Sequence, residues 1–184
     1  MFTISVPKGK RGLSKLEFFH KAYILNDKIT ALLIRDFGVK NISRDLKAFT
    51  FSARMEAEDQ EQFIGLCEKY NINTEAAYPL WLVDYYRNWI LKLLRDLINN
   101  ITQANTIYPT TEKEFYFRRE FQWKAIGNCY QLLQAMQTVV RTLPVNVEKY
   151  MPYVDLLEEE LNLLKNWKKS DNKILKAIQA KEQE

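Results

Sequence analysis

Basic and aromatic side chains are interleaved over ten residues in the second half of the chain. They are Phe115, Tyr116, Phe117, Arg118, Arg119, Phe121, Trp123 and Lys124. Because arginine pairs with phosphate and an aromatic ring stacks on an unpaired base, this combination suits single-stranded RNA. A helix that buries some of the rings and leaves a solvated basic flank gives the same pattern, since helical geometry turns part of such a set inward. Both interpretations stay open at this point.

A second basic set lies near the amino end of the chain. Lys21, Lys28 and Arg35 are seven residues apart and therefore share one face of a helix. Residues 1–54 carry eleven basic against four acidic side chains, and residues 55–84 carry one against seven. This uneven distribution suits a polyanion partner, or subunits whose opposite patches meet, and it is also compatible with an ordinary solvated surface.

The residues that catalysis and metal binding require do not form a recognisable pattern. His20 is the single histidine, so one chain cannot form a histidine-based triad or a multi-histidine metal site. Glu158, Glu159 and Glu160 are consecutive, but the Glu-x-x-His pairs of a di-metal carboxylate bundle are absent, and we expect a solvated acidic face. The scattered glycines provide no phosphate-binding loop. We therefore expect a non-enzymatic protein with no metal and no cofactor.

The cysteines and the apolar segments bear on the cellular compartment. Cys67 and Cys129 replace hydrophobic residues in otherwise apolar stripes, so we expect buried free thiols in a reducing environment. No segment approaches the roughly 18 uncharged apolar residues of a membrane span. The first residues, MFTISVPKGKRG, lack the order of a secretory signal. These features predict a cytoplasmic protein with no membrane contact.

Residues 74–104 carry the strongest helical pattern. Their apolar residues recur at steps of three or four: Leu82, Tyr86, Ile90, Leu93, Leu97 and Ile101. Trp81, Tyr85 and Trp89 run along a flank of the same helix. Bulky aromatic residues beside a filled core stripe favour an interface, so we expect a homo-oligomer that uses these three rings.

Three further long helices are predicted, each with its own signal. Capping boxes at 14–17 and 111–114 begin two of them, and Gly38 is a helix stop for the first. The helix after the second box carries a heptad seam: Ile126, Cys129, Leu133, Met136, Val140 and Leu143. The last helix carries a similar stripe: Tyr150, Val154, Leu157, Leu161, Leu164 and Lys168. Residues 56–70 predict a short additional helix, and residues 39–54 a basic loop with a short helix at 43–47.

Together these elements predict an all-α fold, an antiparallel four-helix bundle with one extra short helix and a basic N-terminal extension. Residues 1–13 form an extended basic leader in this interpretation. The bundle domain covers residues 14–170 and contains an insertion-like segment at 37–73. Residues 171–184 have few apolar anchors and are expected to fray.

The last three predicted helices resemble those of a known family. The resemblance rests on Leu93, Leu94, Leu97, Ile98 and Ala104 before a Tyr-Pro loop, on the helix that closes at Leu143-Pro144, and on Leu157, Leu161, Leu164 and Trp167-Lys168-Lys169-Ser170. In this spacing, residues 76–170 resemble the accessory variability determinant proteins, which are encoded beside the reverse transcriptase of diversity-generating retroelements. Four-helix proteins from ribosomal-RNA intervening sequences are similar. The segment 37–73 departs from the family pattern.

The resemblance implies a ring-like homopentamer that binds a reverse transcriptase and its template RNA without catalysis of its own. By position, it makes Arg118, Arg119 and Lys124 candidates for contact with RNA or polymerase. The tail adds three further candidates, which are Lys165, Lys168 and Lys169. The alternative is a structural or interaction protein that binds another protein through the aromatic flank and does not bind nucleic acid.

Overall fold

The computed structural model describes residues 16–39, 42–43, 54–70 and 78–182, and the predicted all-α class is confirmed. The helices are α1 (Glu17–Ile34), α2 (Ala57–Lys69), α3 (Leu80–Thr106), α4 (Glu112–Thr142), α5 (Met151–Ser170) and α6 (Asn172–Glu182). Single turns of 3₁₀ helix lie at Asp36–Gly38 and Val147–Lys149. Two very short strands, β1 (Ile42–Ser43) and β2 (Tyr78–Pro79), pair in parallel.

The four long helices pack as antiparallel neighbours. Helix α3 contacts α1 and α4, and α5 contacts the same two helices. The start of α3 meets the end of α4, where the Thr142 hydroxyl donates to the Tyr86 hydroxyl oxygen at 3.0 Å. The start of α1 meets the end of α5, where the rings of Phe18 and Trp167 stack with centroids 4.3 Å apart. All four helices contribute to one core, which includes Leu25, Ile29, Ile90, Leu97, Leu132, Leu157 and Leu164.

The predicted boundary signal holds at the start of α4, whereas α1 ends at Ile34, four residues before the predicted stop at Gly38. Thr111 and Glu114 form the predicted capping box at the start of α4. Helix α3 begins directly after Pro79, whose fixed φ suits that position, and it ends at Thr106, two residues beyond the helical pattern of 74–104. Ser14 and Thr74, at which the first predicted capping box and the central helical pattern begin, lie outside the described residues, as do most of 39–54 and the leader 1–13.

The chain reverses after α1 through three consecutive residues with positive φ. Asp36, Phe37 and Gly38 have φ values of 51°, 59° and 80°. This conformation costs roughly 1–2 kcal/mol for each residue other than glycine. Tertiary contacts offset the cost, because the Phe37 ring is buried and its carbonyl oxygen accepts a 3.0 Å hydrogen bond from the Tyr150 hydroxyl. The Asp36 carboxylate pairs with Arg87 of α3.

Two details of the predicted helices are wrong. In α4 the buried positions include Leu132 and Val139, whereas Leu133 and Val140 are half-buried. A straight α-helix drifts from a 3.5-residue repeat, so the core stripe shifts by one residue relative to the heptad seam. The tail expected to fray is helical instead. Helix α6 packs on α4 and α5, and Ile178 supplies a buried apolar anchor.

The two cysteines are free and buried, as predicted. Burial, with a smaller contribution from the Glu160 carboxylate, raises the pKa of the Cys129 thiol far above its usual value. A thiol with a raised pKa forms little thiolate, which is the reactive species. Cys129 therefore acts as a small hydrophobic residue in the core.

The three consecutive acids do not form one solvated face. Glu158 and Glu159 are exposed, but Glu160 is fully buried, and neither of its carboxylate oxygens has a hydrogen-bond partner in the described part of the chain. Burial raises the pKa of Glu160 to about 8; Lys21 opposes this rise and Glu17 adds to it. At pH 7 the Glu160 side chain is therefore mostly a neutral carboxylic acid.

We predict that the free energy of unfolding falls as the pH rises from about 4.5 to about 8. In that window the folded protein keeps the Glu160 proton and the unfolded chain has lost it, so each pH unit removes at most about 1.4 kcal/mol. Glu160→Gln should flatten this dependence, whereas the exposed Glu158→Gln should keep it. Urea unfolding followed by circular dichroism between those pH values measures both slopes. Equal slopes in the wild type and Glu160→Gln would contradict the prediction.

Candidate nucleic-acid interface

Arg118, one of the predicted RNA contacts, is not on the surface. It is buried, and its Nε donates to the Asp171 carboxylate at 2.6 Å. One of its terminal nitrogens donates to the carbonyl oxygens of Ala104 and Ile107, both at 2.9 Å. These carbonyls lie at the end of α3, where backbone oxygens lack partners within the helix. The prediction of a surface role for Arg118 is therefore wrong, because its guanidinium caps the C-terminal end of the neighbouring helix α3.

Asp171 joins the same buried cluster from the junction of α5 and α6. Besides Arg118, its carboxylate accepts a 2.7 Å hydrogen bond from the amide nitrogen of Gln122. The guanidinium carbon of Arg118 lies 5.2 Å from the ring centroid of Trp167 in α5. We call the set Arg118, Gln122, Trp167 and Asp171 the Arg118 junction. It connects α3, α4, α5 and α6 at one end of the fold.

Arg119, the next residue, points toward the surface between α4 and α5. Its terminal nitrogens donate to the carbonyl oxygen of Lys168 and to the side-chain oxygen of Asn172. The guanidinium carbon lies 4.8 Å from the ring centroid of Phe115. Partial burial lowers the pKa of Arg119, and the charge of Arg118 lowers it further against the effect of Asp171. The guanidinium is held in one orientation but remains half-exposed.

Three exposed rings stand in a row along the outer side of α4. Tyr116, Trp123 and Tyr130 are seven residues apart, with 56%, 56% and 50% of their surface exposed. The ammonium nitrogen of Lys168 lies 3.3 Å from the Trp123 ring centroid. The ammonium of Lys165 donates to the Tyr130 hydroxyl at 2.8 Å. Lysines of α5 thus lie directly beside the rings of α4.

We call this surface the basic–aromatic face. It consists of Tyr116, Arg119, Trp123, Tyr130, Lys165, Lys168 and Lys169. At its α6 end the face deepens into a notch of about 400 Å³, which Tyr116, Arg119, Trp123, Lys168 and Lys169 help to line. Burial lowers the pKa of Lys168, and the charges of Arg119 and Lys165 lower it further. Lys168 is therefore close enough to Arg119 and Lys165 to be repelled by both.

The other predicted cations lie elsewhere. Lys124 is exposed on α4, where it pairs with Glu120 at 2.6 Å and lies 5.1 Å from the Phe121 ring centroid. Lys21 pairs with Glu159 at 2.5 Å, and that contact raises the pKa of Lys21. Lys28 is exposed on α1, and Arg35 is exposed directly after the end of that helix. The structure does not bring Lys21, Lys28 and Arg35 to the basic–aromatic face.

The predicted aromatic flank of α3 is exposed at one end. Trp81 and Tyr85 have 69% and 58% of their surface exposed. Trp89 is half-buried and packs against the core. The exposed part of the flank is thus a small apolar patch of two rings, and the half-buried Trp89 lies between this patch and the core.

Sequence reasoning missed Tyr130 and Asp171. The signal for Tyr130 was available, because it follows Trp123 by seven residues as Trp123 follows Tyr116. Asp171 carried no such signal, since its partner Arg118 is 53 positions away and is followed by a second arginine, Arg119. Only the packing of α4 on α5 shows which arginine is buried.

Comparison of the chain with known families, curated proteins and solved structures finds no match. In the described part of the chain no helix is long and apolar enough to cross a membrane. Among the same residues, no three or more His, Cys, Asp or Glu side chains are grouped so that they could hold a metal ion. The basic–aromatic face is therefore interpreted from its own geometry.

We predict that Asp171→Ala destabilises the protein by about 3–5 kcal/mol, because it leaves the buried Arg118 charge without its counterion. Asn172→Ala removes only a surface contact to Arg119 and should cost less than about 1 kcal/mol. Equilibrium urea unfolding of the two variants measures the difference. A loss for Asp171→Ala no larger than that of Asn172→Ala would show that the Arg118 junction does not hold the helices together.

Proposed function

We propose that this protein is a non-catalytic accessory protein that binds single-stranded RNA through the basic–aromatic face. The observation that carries the proposal is the row of Tyr116, Trp123 and Tyr130, exposed on α4 with the lysines of α5 alongside. At 1.5 Å per residue the rings stand roughly 10 Å apart. Rings supply stacking surfaces for unpaired bases, and flanking cations contact the phosphates.

The charges of the face also favour an anionic ligand. Burial lowers the pKa of Lys168, and the charges of Arg119 and Lys165 lower it further, which means that both cations repel Lys168 in the free protein. A phosphate chain would relieve that repulsion and release counterions. The Lys168 ammonium now covers the Trp123 ring, so binding would transfer it to a phosphate and free the ring for a base. Charge and stacking then act at the same place.

The resemblance of residues 76–170 to the accessory variability determinant proteins suggests which RNA this is. In that family setting the RNA is the template of a reverse transcriptase, and the accessory protein supplies binding without chemistry. The lysines of the resembling tail, Lys165, Lys168 and Lys169, lie on the basic–aromatic face. We also propose a reverse transcriptase as a protein partner of this chain.

We predict that changing Lys165, Lys168 and Lys169 together to Gln lowers the affinity for RNA and its dependence on salt. Three lost phosphate contacts reduce the slope of log K against log salt by about 2 for a single strand. Fluorescence anisotropy of a labelled oligouridylate, titrated between about 50 and 200 mM salt, measures the slope. Lys28→Gln on α1 is the matched control and should leave affinity and slope unchanged.

Stacking is tested separately by Trp123→Leu. This change should weaken binding by about 1–3 kcal/mol and leave the salt slope intact, because it removes a ring and no charge. Wild-type affinity in both the lysine variant and Trp123→Leu would exclude the basic–aromatic face as the RNA site.

The exposed rings of α3 support a second candidate function, an interface for protein. Trp81 and Tyr85 are both more than half exposed, beside the half-buried Trp89. Aromatic residues are enriched in interfaces, and an exposed apolar patch can mark one. We propose a second copy of this chain as the partner. If the family resemblance holds, five copies form a ring.

We predict that the wild-type protein is a homo-oligomer in solution and that Trp81→Ser with Tyr85→Ser produces monomers. The expected cause is the loss of the two largest exposed rings of α3. Light scattering coupled to size exclusion measures the mass. Leu91→Ser is the control, since Leu91 is a less exposed apolar residue elsewhere on α3. A monomeric wild type would remove the interface from the proposal.

A further inference from the structure

A groove between α3 and α4 is lined on both sides by side-chain amides. They are Asn99, Asn100 and Gln103 from α3 and Asn128 and Gln131 from α4. The groove encloses about 430 Å³, and Asp96 and Lys124 are its charged lining residues. It belongs neither to the basic–aromatic face nor to the Trp81–Tyr85 patch. Amides that meet in one groove offer both donors and acceptors of hydrogen bonds.

One hydrogen bond fixes the floor of the amide groove. The Asn100 amide nitrogen donates to the Asn128 side-chain oxygen at 2.8 Å. Asn128 is buried, so this pair is held in place by the packing of α3 on α4. Within residues 78–182 no hydrogen bond joins the other amides, Asn99, Gln103 and Gln131, to one another. All three residues line the groove and are exposed, so a ligand in the groove can reach their amides.

Gly127 lies in the groove wall near the middle of the 31-residue helix α4. Glycine inside a helix costs about 1 kcal/mol relative to alanine. A Cβ atom built at Gly127 would meet no atom within 4 Å, so the packing of this chain does not require glycine there. The open space above Gly127 allows a ligand to lie directly against the α4 backbone.

The electrostatics of the groove point to an uncharged ligand. Lys124 is paired with Glu120, and Asp96 has Lys92 and Arg95 as neighbours, each at 3.8 Å. The two charged residues that line the groove, Asp96 and Lys124, have opposite signs, so the lining itself carries no excess positive charge for a phosphate. Amides of Asn and Gln form paired hydrogen bonds with base edges, and unpaired RNA exposes those edges. A base suits the groove better than a phosphate does.

We infer that the amide groove holds unpaired bases of the RNA whose phosphates contact the basic–aromatic face. This inference rests on the proposed function and deepens it, because it assigns base contacts to a second surface. Helix α4 supplies both surfaces: Trp123 belongs to the basic–aromatic face, and Gly127, one turn further on, lies in the amide groove. A strand that crosses α4 can therefore contact both.

The test compares RNA with and without bases. Gly127→Leu fills the groove, and it should weaken binding of a base-bearing oligoribonucleotide about tenfold or more, which is the loss of one good base contact. Binding of an abasic ribose-phosphate oligomer of equal length should stay within about twofold. Gly65→Leu on α2 is the matched control, since a Cβ there also meets no atom within 4 Å. Fluorescence anisotropy measures all four combinations.

A second variant protects the test against misfolding. Asn99→Leu with Gln131→Leu keeps the volume of the groove walls and removes two amides, and it should reduce differences in affinity among oligomers of the four bases. Gly127→Leu should unfold at a temperature equal to or above that of the wild type. Loss of both probes to the same extent, or of neither, overturns the inference and leaves the proposed function in place. If the wild type binds neither probe, both the inference and the proposed function are wrong. A protein ligand bound in the groove would also overturn the inference.

Discussion

The structure depends on one buried ion pair, between Arg118 of α4 and Asp171 at the junction of α5 and α6. Arg118 also donates to two carbonyl oxygens at the end of α3, so a single guanidinium joins three helices. A charge removed from water is costly unless its partners are complete, and here the carboxylate, the two carbonyls and the Trp167 ring surround it. The helices are therefore held in one rotational setting.

That setting determines what α4 presents to solvent. With Arg118 directed inward, the opposite side of the helix is exposed. On that side Tyr116, Trp123 and Tyr130 follow one another at intervals of seven residues. The same rotation brings Lys165 and Lys168 of α5 beside those rings and places Gly127 in the groove with α3. Core packing and surface chemistry are thus two results of one constraint.

The sequence predicts the helices well because their signals are local. The Thr111–Glu114 capping box and the core stripe of α3 from Tyr86 to Ile101 both depend on residues a few positions apart. Arg118 and Arg119 show where local signals fail. They are adjacent and identical in type, and only the distant Asp171 decides which one is buried. Glu160 is similar, since one step along α5 separates it from the exposed Glu159.

Glu160 gives the interior of the protein a chemical property of its own. Its carboxyl group is fully buried without a hydrogen-bond partner in the described part of the chain, and it carries a proton at neutral pH. The unfolded chain releases that proton to water, so folding at pH 7 takes up close to one hydrogen ion from the buffer. The heat of folding therefore includes the ionisation heat of whichever buffer supplies it, and calorimetry in phosphate and in Tris will give different enthalpies for the same folding reaction.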